Sequence, residues 1–324
     1  MKTQGLRALV TGGAGFVGSH IVDGLIQQGC EVYVIDNMLT GRLANLEHLA
    51  KNRMFHFIKG DIRDSEVVGK AVKDVDVVFH EAALVSVSRS VEDPKLTNDI
   101  NVTGTVNTLL SCLKADVNLF VYASSSSVYG EAGKLPKDER QTLNPISPYG
   151  VSKMAAENYV TAFHEVYGLK AVCLRYFNVY GPRQIAGPYS GVISIFVSRL
   201  RNNQPPIIYG DGEQMRDFTY VKDVVNANML CLEAREAVGQ VFNIATGKPT
   251  TINRLSQILV ETTGRTDLQP IHTDPRSGDI KESYADISKA KKTLKYCPEM
   301  SLQAGLSSYV AWRDANLNKF GSGI

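Results

Sequence analysis

The chain predicts an α/β protein built on a doubly wound parallel sheet of about seven strands, with a smaller mixed α/β lobe beside it. Three observations carry this. Short β-rich runs alternate with helix-length segments, at Arg7–Gly13, Glu31–Asn37, Met54–Asp61, Val75–Ala82, Asn118–Ser125, Lys170–Val179 and Gln240–Gly247. Several runs, Val75–Phe79 above all, are almost continuously apolar, as strands covered on both faces must be. Strands separated by helices also require right-handed crossovers, which build a parallel sheet whose carboxyl edge receives ligands.

After about Gly181 the alternation loosens: Pro182, Pro188, Pro205 and Pro206 interrupt it, and Tyr209-Gly-Asp-Gly212 reads as a turn. The expected division is a first lobe over 1–179, rejoined by 220–252 through a helix and the last strand, and a second lobe over 180–324, mainly 180–219 and 253–324. Composition is that of an ordinary globular chain, 324 residues with 44% hydrophobic and 21% charged. The 35 Lys and Arg against 33 Asp and Glu leave no basic field for nucleic acid or an anionic membrane, so an anionic ligand must be met by a few placed residues or by backbone N–H groups. The five cysteines show no paired spacing, which argues against a disulfide framework or a metal site. The polar start Met1–Arg7 and the lack of a long apolar run predict a soluble, cytoplasmic protein.

The first run enters Thr11-Gly12-Gly13-Ala14-Gly15-Phe16-Val17-Gly18 and then a helix-length segment. Gly12, Gly15 and Gly18 sit between a strand and a helix, where missing side chains permit a tight turn and a close approach to a pyrophosphate. The N–H groups of the helix start face the phosphate. Asp36 closes the second run, about 20 residues beyond the glycine turn, where an acid accepts from the adenosine ribose and repels a 2′-phosphate. The expected cofactor is therefore NAD rather than NADP, on a Rossmann-type fold. Asp61 ends the third run within reach of the adenine edge.

Ser124-Ser-Ser-Ser127 leaves the fifth apolar run on the ligand edge, and Ser147-Pro148-Tyr149 opens a helix with a cap and a proline at its first position. Tyr149 and Lys153 are four residues apart and share a helical face. A tyrosine with a pKa near ~10 is a poor base at neutral pH, but a neighbouring ammonium and the positive charge of an oxidised nicotinamide favour the phenolate. Such a pair recurs in many surface helices. Joined to the glycine turn, Asp36 and a strand-end serine, it points to proton removal from a hydroxyl while hydride leaves the same carbon.

These residues resemble the extended short-chain dehydrogenase/reductase family, and within it the nucleotide-sugar 4-epimerases. The likeness runs through Gly12–Gly18, His80-Glu-Ala-Ala83, Asn101-Val-Thr-Gly104, Ser125, Tyr149/Lys153, Arg175-Tyr-Phe-Asn178, Arg216-Asp-Phe218 and Arg276-Ser-Gly-Asp279. The resemblance implies that Ser125 bonds a sugar 4-hydroxyl, that Tyr149 is the base, and that Lys153 holds the nicotinamide ribose. It implies further cofactor contacts from Phe16, Val17, Asn37, Gly41, Ile62, Ala82, Ala83, Asn101 and Tyr176. Phe177 is expected by the nicotinamide, and His80 in the turn after the fourth strand. The substrate, a UDP-sugar, is expected against Ser86, Ser126, Ser127, Asn178, Gln184, Tyr209 and Asp279, with Arg216 and Arg276 on the diphosphate. It also implies a homodimer formed by two helices per subunit, here about 98–115 and 149–167.

The implied reaction is oxidation at C4, rotation of the 4-keto sugar and re-reduction from the other face. A 4,6-dehydratase would carry an Asp-Glu pair where Ser126 and Ser127 stand. A UDP-glucuronate 4-epimerase or decarboxylase needs a carboxylate partner, for which Arg89 and Arg183 are the candidates, but Asn178 and Ile185 depart from the Thr and Arg expected in that epimerase. A non-catalytic NAD-sensing protein would lose the Tyr149/Lys153 pair. Ser283, seven residues after Arg276, matches the position whose size separates family members: a tyrosine restricts the pocket to plain hexoses, and a small residue admits a 2-N-acetyl group. The competing placement has Tyr284 in that pocket.

Overall fold

The computed structural model describes residues 4–131, 133–185, 187, 190–275 and 280–316. In chain order the first part runs β1 (Arg7–Thr11), α1 (Phe16–Gln27), β2 (Glu31–Asp36), β3 (Phe55–Lys59), α2 (Ser65–Ala71) and β4 (Val77–His80). It continues through α3 (Val87–Glu92), α4 (Pro94–Asn98), α5 (Gly104–Lys114), β5 (Leu119–Ser125), α6 (Pro148–Tyr167) and β6 (Ala171–Tyr176). The second part holds β7 (Val179–Tyr180), α7 (Val192–Arg201), β8 (Ile207–Tyr209), β9 (Met215–Arg216), β10 (Thr219–Tyr220), α8 (Val221–Cys231) and β11 (Gln240–Ile244). It closes with β12 (Thr250–Thr251), α9 (Ile252–Thr263), β13 (Ile271–Thr273), β14 (Glu282–Ser283), α10 (Ser288–Thr293) and α11 (Leu302–Ala315).

Seven strands form one parallel sheet in the order β11-β6-β5-β4-β1-β2-β3. The order reverses at β1, with β4 on one side and β2 on the other, and the carboxyl edge at such a switch point is where open α/β sheets bind ligands. All seven expected runs are strands of this sheet. The sixth is the one that breaks: Lys170–Val179 is expected as a single strand, but the backbone leaves the sheet after Tyr176 and Asn178 takes a positive φ of 33° before β7 begins.

Three apolar clusters fill the molecule. One lies under α1 and α8 on one sheet face, a second under α2, α5 and α6 on the other. The third joins α7, α9 and α11 around Phe196, Leu259 and Tyr309. Ala285, Ile287, Ala290, Leu294 and Tyr296 pack in the first cluster with Phe242 and Ile244, although the sequence expectation groups them with the smaller lobe. The apolar face of α10 has β11 to cover, so this stretch returns to the sheet.

Between α4 and α5 the helix widens into a π turn over Asp99–Thr103. Helix 98–115 is thus continuous in path but not in hydrogen-bond register. Among the described residues no helix is long and apolar enough to cross a membrane.

Candidate active site

The cofactor end is made by backbone. Gly12 has φ 67° and its N–H donates to the Ile35 carbonyl at 2.8 Å; a Cβ there would lie 2.7 Å from Cα of Ala82 in the loop after β4. A Cβ on Gly18 would collide with the Gly12 carbonyl oxygen. Gly15 occupies the cap position of α1, so no side chain caps the first turn and its N–H groups, from Phe16 and Val17 onward, face the mouth of the glycine turn. Asp36 at the end of β2 accepts from the Ala14 N–H at 3.0 Å and the Met38 N–H at 2.8 Å. Burial pushes its carboxyl up, and these two hydrogen bonds resist. Gly41 lies against it, since a Cβ there would sit 2.6 Å from its Oδ1. A glycine cradle, an uncapped helix start and a strand-end carboxylate fit a dinucleotide.

Other residues expected at this end also make contacts within the protein. Asp61 is held by Arg63 at 2.8 Å and by the Asn37 side-chain amide at 2.8 Å, which keep its carboxyl well below the usual range. Ile62 is buried against Gly104, and Ala83 is partly buried beside the turn. Asn101 sits in the π turn with its Oδ1 accepting from the Leu84 N–H at 2.7 Å and its Nδ2 donating to Ser152 Oγ at 2.9 Å. It therefore ties the loop after β4 to α6. His80 is not in the turn. It is the last residue of β4, wholly buried between the hydroxyls of Thr11 and Thr105 at 3.0 Å each, and burial lowers its pKa to about 3.

The reactive side chains meet where β5, α6 and β6 converge. Ser125 ends β5, and its Oγ accepts from the Ser127 N–H at 3.2 Å and bonds the Ser127 hydroxyl at 3.2 Å; Ser126 stands partly exposed between them. Ser147 caps α6 by accepting from the Gly150 N–H, and Pro148 takes the first helical position. Tyr149 follows, its N–H donating to Ser90 Oγ of α3 at 3.0 Å. Lys153 lies one turn on with Nζ 4.7 Å from the centre of the Tyr122 ring. One turn further, Glu157 accepts from Arg175 Nε at 3.0 Å and from Ser124 Oγ at 2.6 Å, and Arg175 reaches Tyr129 at 2.7 Å. This buried network fastens α6 to β5 and β6 directly behind Ser125, Lys153 and Tyr176.

Burial is the largest influence on both reacting groups. It raises the Tyr149 phenol above its ordinary value, against a hydrogen bond with Ser125 that draws it down, and it lowers the Lys153 ammonium to about 8. The sequence expectation that a nearby ammonium lowers Tyr149 is thus not met by the protein groups alone. Tyr176 faces the site but donates its hydroxyl to Glu81 Oε1 at 2.8 Å, while Phe177 is wholly buried in the core.

Several of the residues expected at the sugar stand on very short strands. Ser283 of β14 lies in register with Arg216 of β9, and the Asp217 N–H donates to the Ser283 carbonyl at 3.1 Å. Asn178 donates from Nδ2 to the Asp217 carbonyl at 3.1 Å, so it reaches the same segment from the sheet. Gln184 donates to the Val179 carbonyl at 3.1 Å, and its buried Oε1 finds no partner among the described residues. Tyr209 ends β8, partly buried. Ser86, buried, caps α3 beside the loop after β4. Arg276 and Asp279 lie outside the described residues.

Sequence reasoning passed over Ser90, Glu157 and Arg175. The regular four-residue spacing of Tyr149, Lys153 and Glu157 is the signal that marks Glu157. Ser90 carries no local sign.

Fold and site together define a dinucleotide-dependent enzyme of the short-chain dehydrogenase type, in which a tyrosine, a lysine and a serine meet at the end of β5. The chain belongs to the NAD dependent epimerase/dehydratase family, whose model matches residues 8–245, and NAD is its cofactor. A putative UDP-glucose 4-epimerase of Methanocaldococcus jannaschii is 44% identical over 310 residues, covering 95% of this chain and 98% of that one. The structure of UDP-glucose 4-epimerase from Thermotoga maritima with UDP-glucose is 41% identical with a TM-score of 0.91, over 96% of this chain and 100% of that one. UDP-N-acetylglucosamine 4-epimerase from Methanobrevibacter ruminantium, in complex with UDP-N-acetylmuramic acid, is 41% identical with a TM-score of 0.92, over 97% and 99% of the two chains. Relatives named for UDP-glucuronate also match.

Proposed function

We propose that the protein is a UDP-hexose 4-epimerase acting on UDP-glucose and UDP-galactose and on their 2-N-acetyl counterparts. The observation that carries the reading is the convergence of Ser125, Tyr149 and Lys153 in this chain, and it is supported by relatives named for UDP-sugar 4-epimerisation. NAD, when bound, supplies the acceptor and donor of the C4 hydride. Tyr149 takes the proton of the 4-hydroxyl, Ser125 orients that hydroxyl, and Lys153 bears a charge next to the phenol. Gly12, Gly15, Gly18, Phe16, Val17 and Asp36 hold the dinucleotide, and Arg216 with Arg276 meets the diphosphate. We place the cofactor in the lobe of 1–179 and 220–252 and the sugar in that of 180–219 and 253–324, from which Ala285–Tyr296 returns to pack on the large sheet.

Ser283 supports the acetylated substrates. It is small, partly buried and in register with Arg216, and Tyr284 lies just past the strand, with its carbonyl accepting from the Lys137 N–H at 2.9 Å. Asn178 and Ile185 supply neither the Thr nor the Arg expected for a glucuronate 4-epimerase. Exposed Leu110 of α5 and Val151 and Tyr159 of α6 support a homodimer built on these helices, which the mass in solution reads.

The test is turnover of UDP-glucose, UDP-N-acetylglucosamine and UDP-glucuronate by the purified protein. The first two should be epimerised with no NADH released, and Tyr149→Phe should lower kcat by ~10²–10⁴-fold. Ser283→Tyr should abolish turnover of the acetylated sugar and spare UDP-glucose, because steric exclusion adds repulsion to lost contact. Acetylated turnover at the parent rate in Ser283→Tyr would remove Ser283 from its role.

A further inference from the structure

A carboxyl that the proposed reaction does not use stands among the reacting side chains. Glu81 follows directly on β4, and its backbone is fixed: its N–H donates to the Thr11 carbonyl at 3.2 Å, and a Cβ on Gly12 would lie 3.1 Å from its carbonyl carbon. Its side chain is fixed as well. Tyr176 of β6 donates to Oε1 at 2.8 Å, and Asn228 of α8 donates from Nδ2 to that same phenol oxygen at 2.8 Å. Asn228 is wholly buried and also donates to the Val224 carbonyl at 2.9 Å. The relay Asn228–Tyr176–Glu81 therefore crosses from α8 through β6 to the end of β4 and sets the carboxyl in one place.

The groups that interact with it come from three neighbouring elements: α6 presents Tyr149 and Lys153, β5 presents Tyr122 and β6 presents Tyr176, while β4 itself ends in neutral His80. The thiols of Cys173 and Cys231 lie one layer out, beside Lys153 and Tyr176. Two carboxyls act on Lys153, those of Glu81 and Glu157. They differ in kind. Glu157 is closed on the Arg175 guanidinium by paired hydrogen bonds, so much of its field is neutralised where it stands. The hydrogen-bond partner of Glu81 is a neutral phenol, so its charge is not closed on a guanidinium and is felt by Lys153 and Tyr149 of α6.

We propose that Glu81 is a positioning residue for charge, which holds Lys153 as an ammonium, restrains the ionisation of Tyr149, and so sets the pH window in which this pair works. The proposal rests on the reading of Tyr149 as the base. One negative charge acts in the same direction on both groups, since it makes either proton harder to remove. The shifts agree. Burial draws Lys153 down to about 8 while Glu81 and Glu157 pull it back, and Glu81 adds to the burial that raises Tyr149. Burial brings Glu81 itself up to about 7, against the Tyr176 hydrogen bond and the Lys153 charge. Glu81 and Lys153 then titrate as a coupled pair near neutrality, with the Tyr149 phenol above them.

Glu81→Gln removes the charge and keeps an oxygen able to accept from Tyr176. In the holoenzyme both limbs of the profile of kcat/KM against pH should move to lower pH, by about one pH unit. The phenolate absorbance of Tyr149, read as the difference between Glu81→Gln and Glu81→Gln/Tyr149→Phe in the absence of substrate, should move the same way. Glu81→Asp keeps the charge and should leave the limbs near those of the parent even where KM rises. Limbs and phenolate titration unmoved in Glu81→Gln, or moved equally in Glu81→Asp, would overturn the proposal and reduce Glu81 to a support for Tyr176. The phenolate reading does not depend on turnover: a shift there in a protein that epimerises no UDP-sugar keeps the proposal and removes the epimerase reading instead.

Discussion

The two ends of the cleft are built from different materials. At the cofactor end the backbone does the recognition: a positive-φ glycine, an uncapped helix start, and one carboxylate pinned by two N–H groups. At the end proposed for the sugar, the candidate side chains stand on strands of two or three residues, β8, β9 and β14, and register brings Ser283 beside Arg216. A backbone cradle is insensitive to most substitutions and intolerant of a few. A side-chain cradle can be re-tuned one residue at a time, and relatives of similar fold are named for different UDP-sugars.

The sharpest way to break this contrast is Gly12→Ala. It adds a Cβ 2.7 Å from Ala82 Cα at a positive φ, so the turn must open. The strain is ~1–3 kcal/mol, and retained NAD and thermal stability should fall together, as cofactor absorbance and melting read. Retained NAD at the parent level would show that the turn is softer than its packing indicates. Arg216→Ala acts on the other end. Losing charge-assisted contacts worth ~1.5–3 kcal/mol should raise KM for a UDP-sugar ~10–100-fold with kcat and bound NAD little changed. Loss of NAD in that variant would mean that the two ends are not separable.

The smallest effect belongs to the seam between them. His20 of α1 donates from Nε2 to the Pro182 carbonyl at 2.9 Å, and Arg183 beside it pairs with Asp23 of α1 at 2.7 Å. Burial, helped by the Arg183 charge, lowers His20 to about 4. The unfolded chain binds this proton from about pH 6.5 downward and the folded chain only near its own lowered value, so stability falls as pH drops through that window. Between pH 7 and 4.5 the parent should lose about 1–2 kcal/mol more than His20→Gln, measured by denaturant unfolding at both pH values. Equal losses would mean that other groups govern the acid limb.

The same division explains what could be read from the sequence. The glycine turn, Asp36, and the four-residue spacing of Tyr149 and Lys153 are local patterns, each written within one or two consecutive elements. The seven strands of the large sheet announce themselves as apolar runs. By contrast, β9 and β14 are too short for any periodicity, and their pairing joins residues more than sixty positions apart. Glu81 is visible as a letter in His80-Glu-Ala-Ala83, but its meaning comes from Tyr176 and Asn228, which only the fold brings to it. Ala285–Tyr296 looked like part of the second lobe because the alternation had ended, whereas an apolar face is placed by what it can cover.

The π turn at Asp99–Thr103 has a consequence at a distance. An α-helix advances its side chains by about 100° per residue, so one residue accommodated in a widened turn rotates everything after it by about that angle relative to everything before. The turn holds Asn101 toward Leu84 and Ser152 at the cleft, and α5 emerges from it with Leu110 directed outward. One inserted residue thus works as a phase shifter. Deleting it would restore a regular helix and turn the outer surface of α5 by roughly a quarter of a revolution, while Asn101 stayed anchored at the crevice.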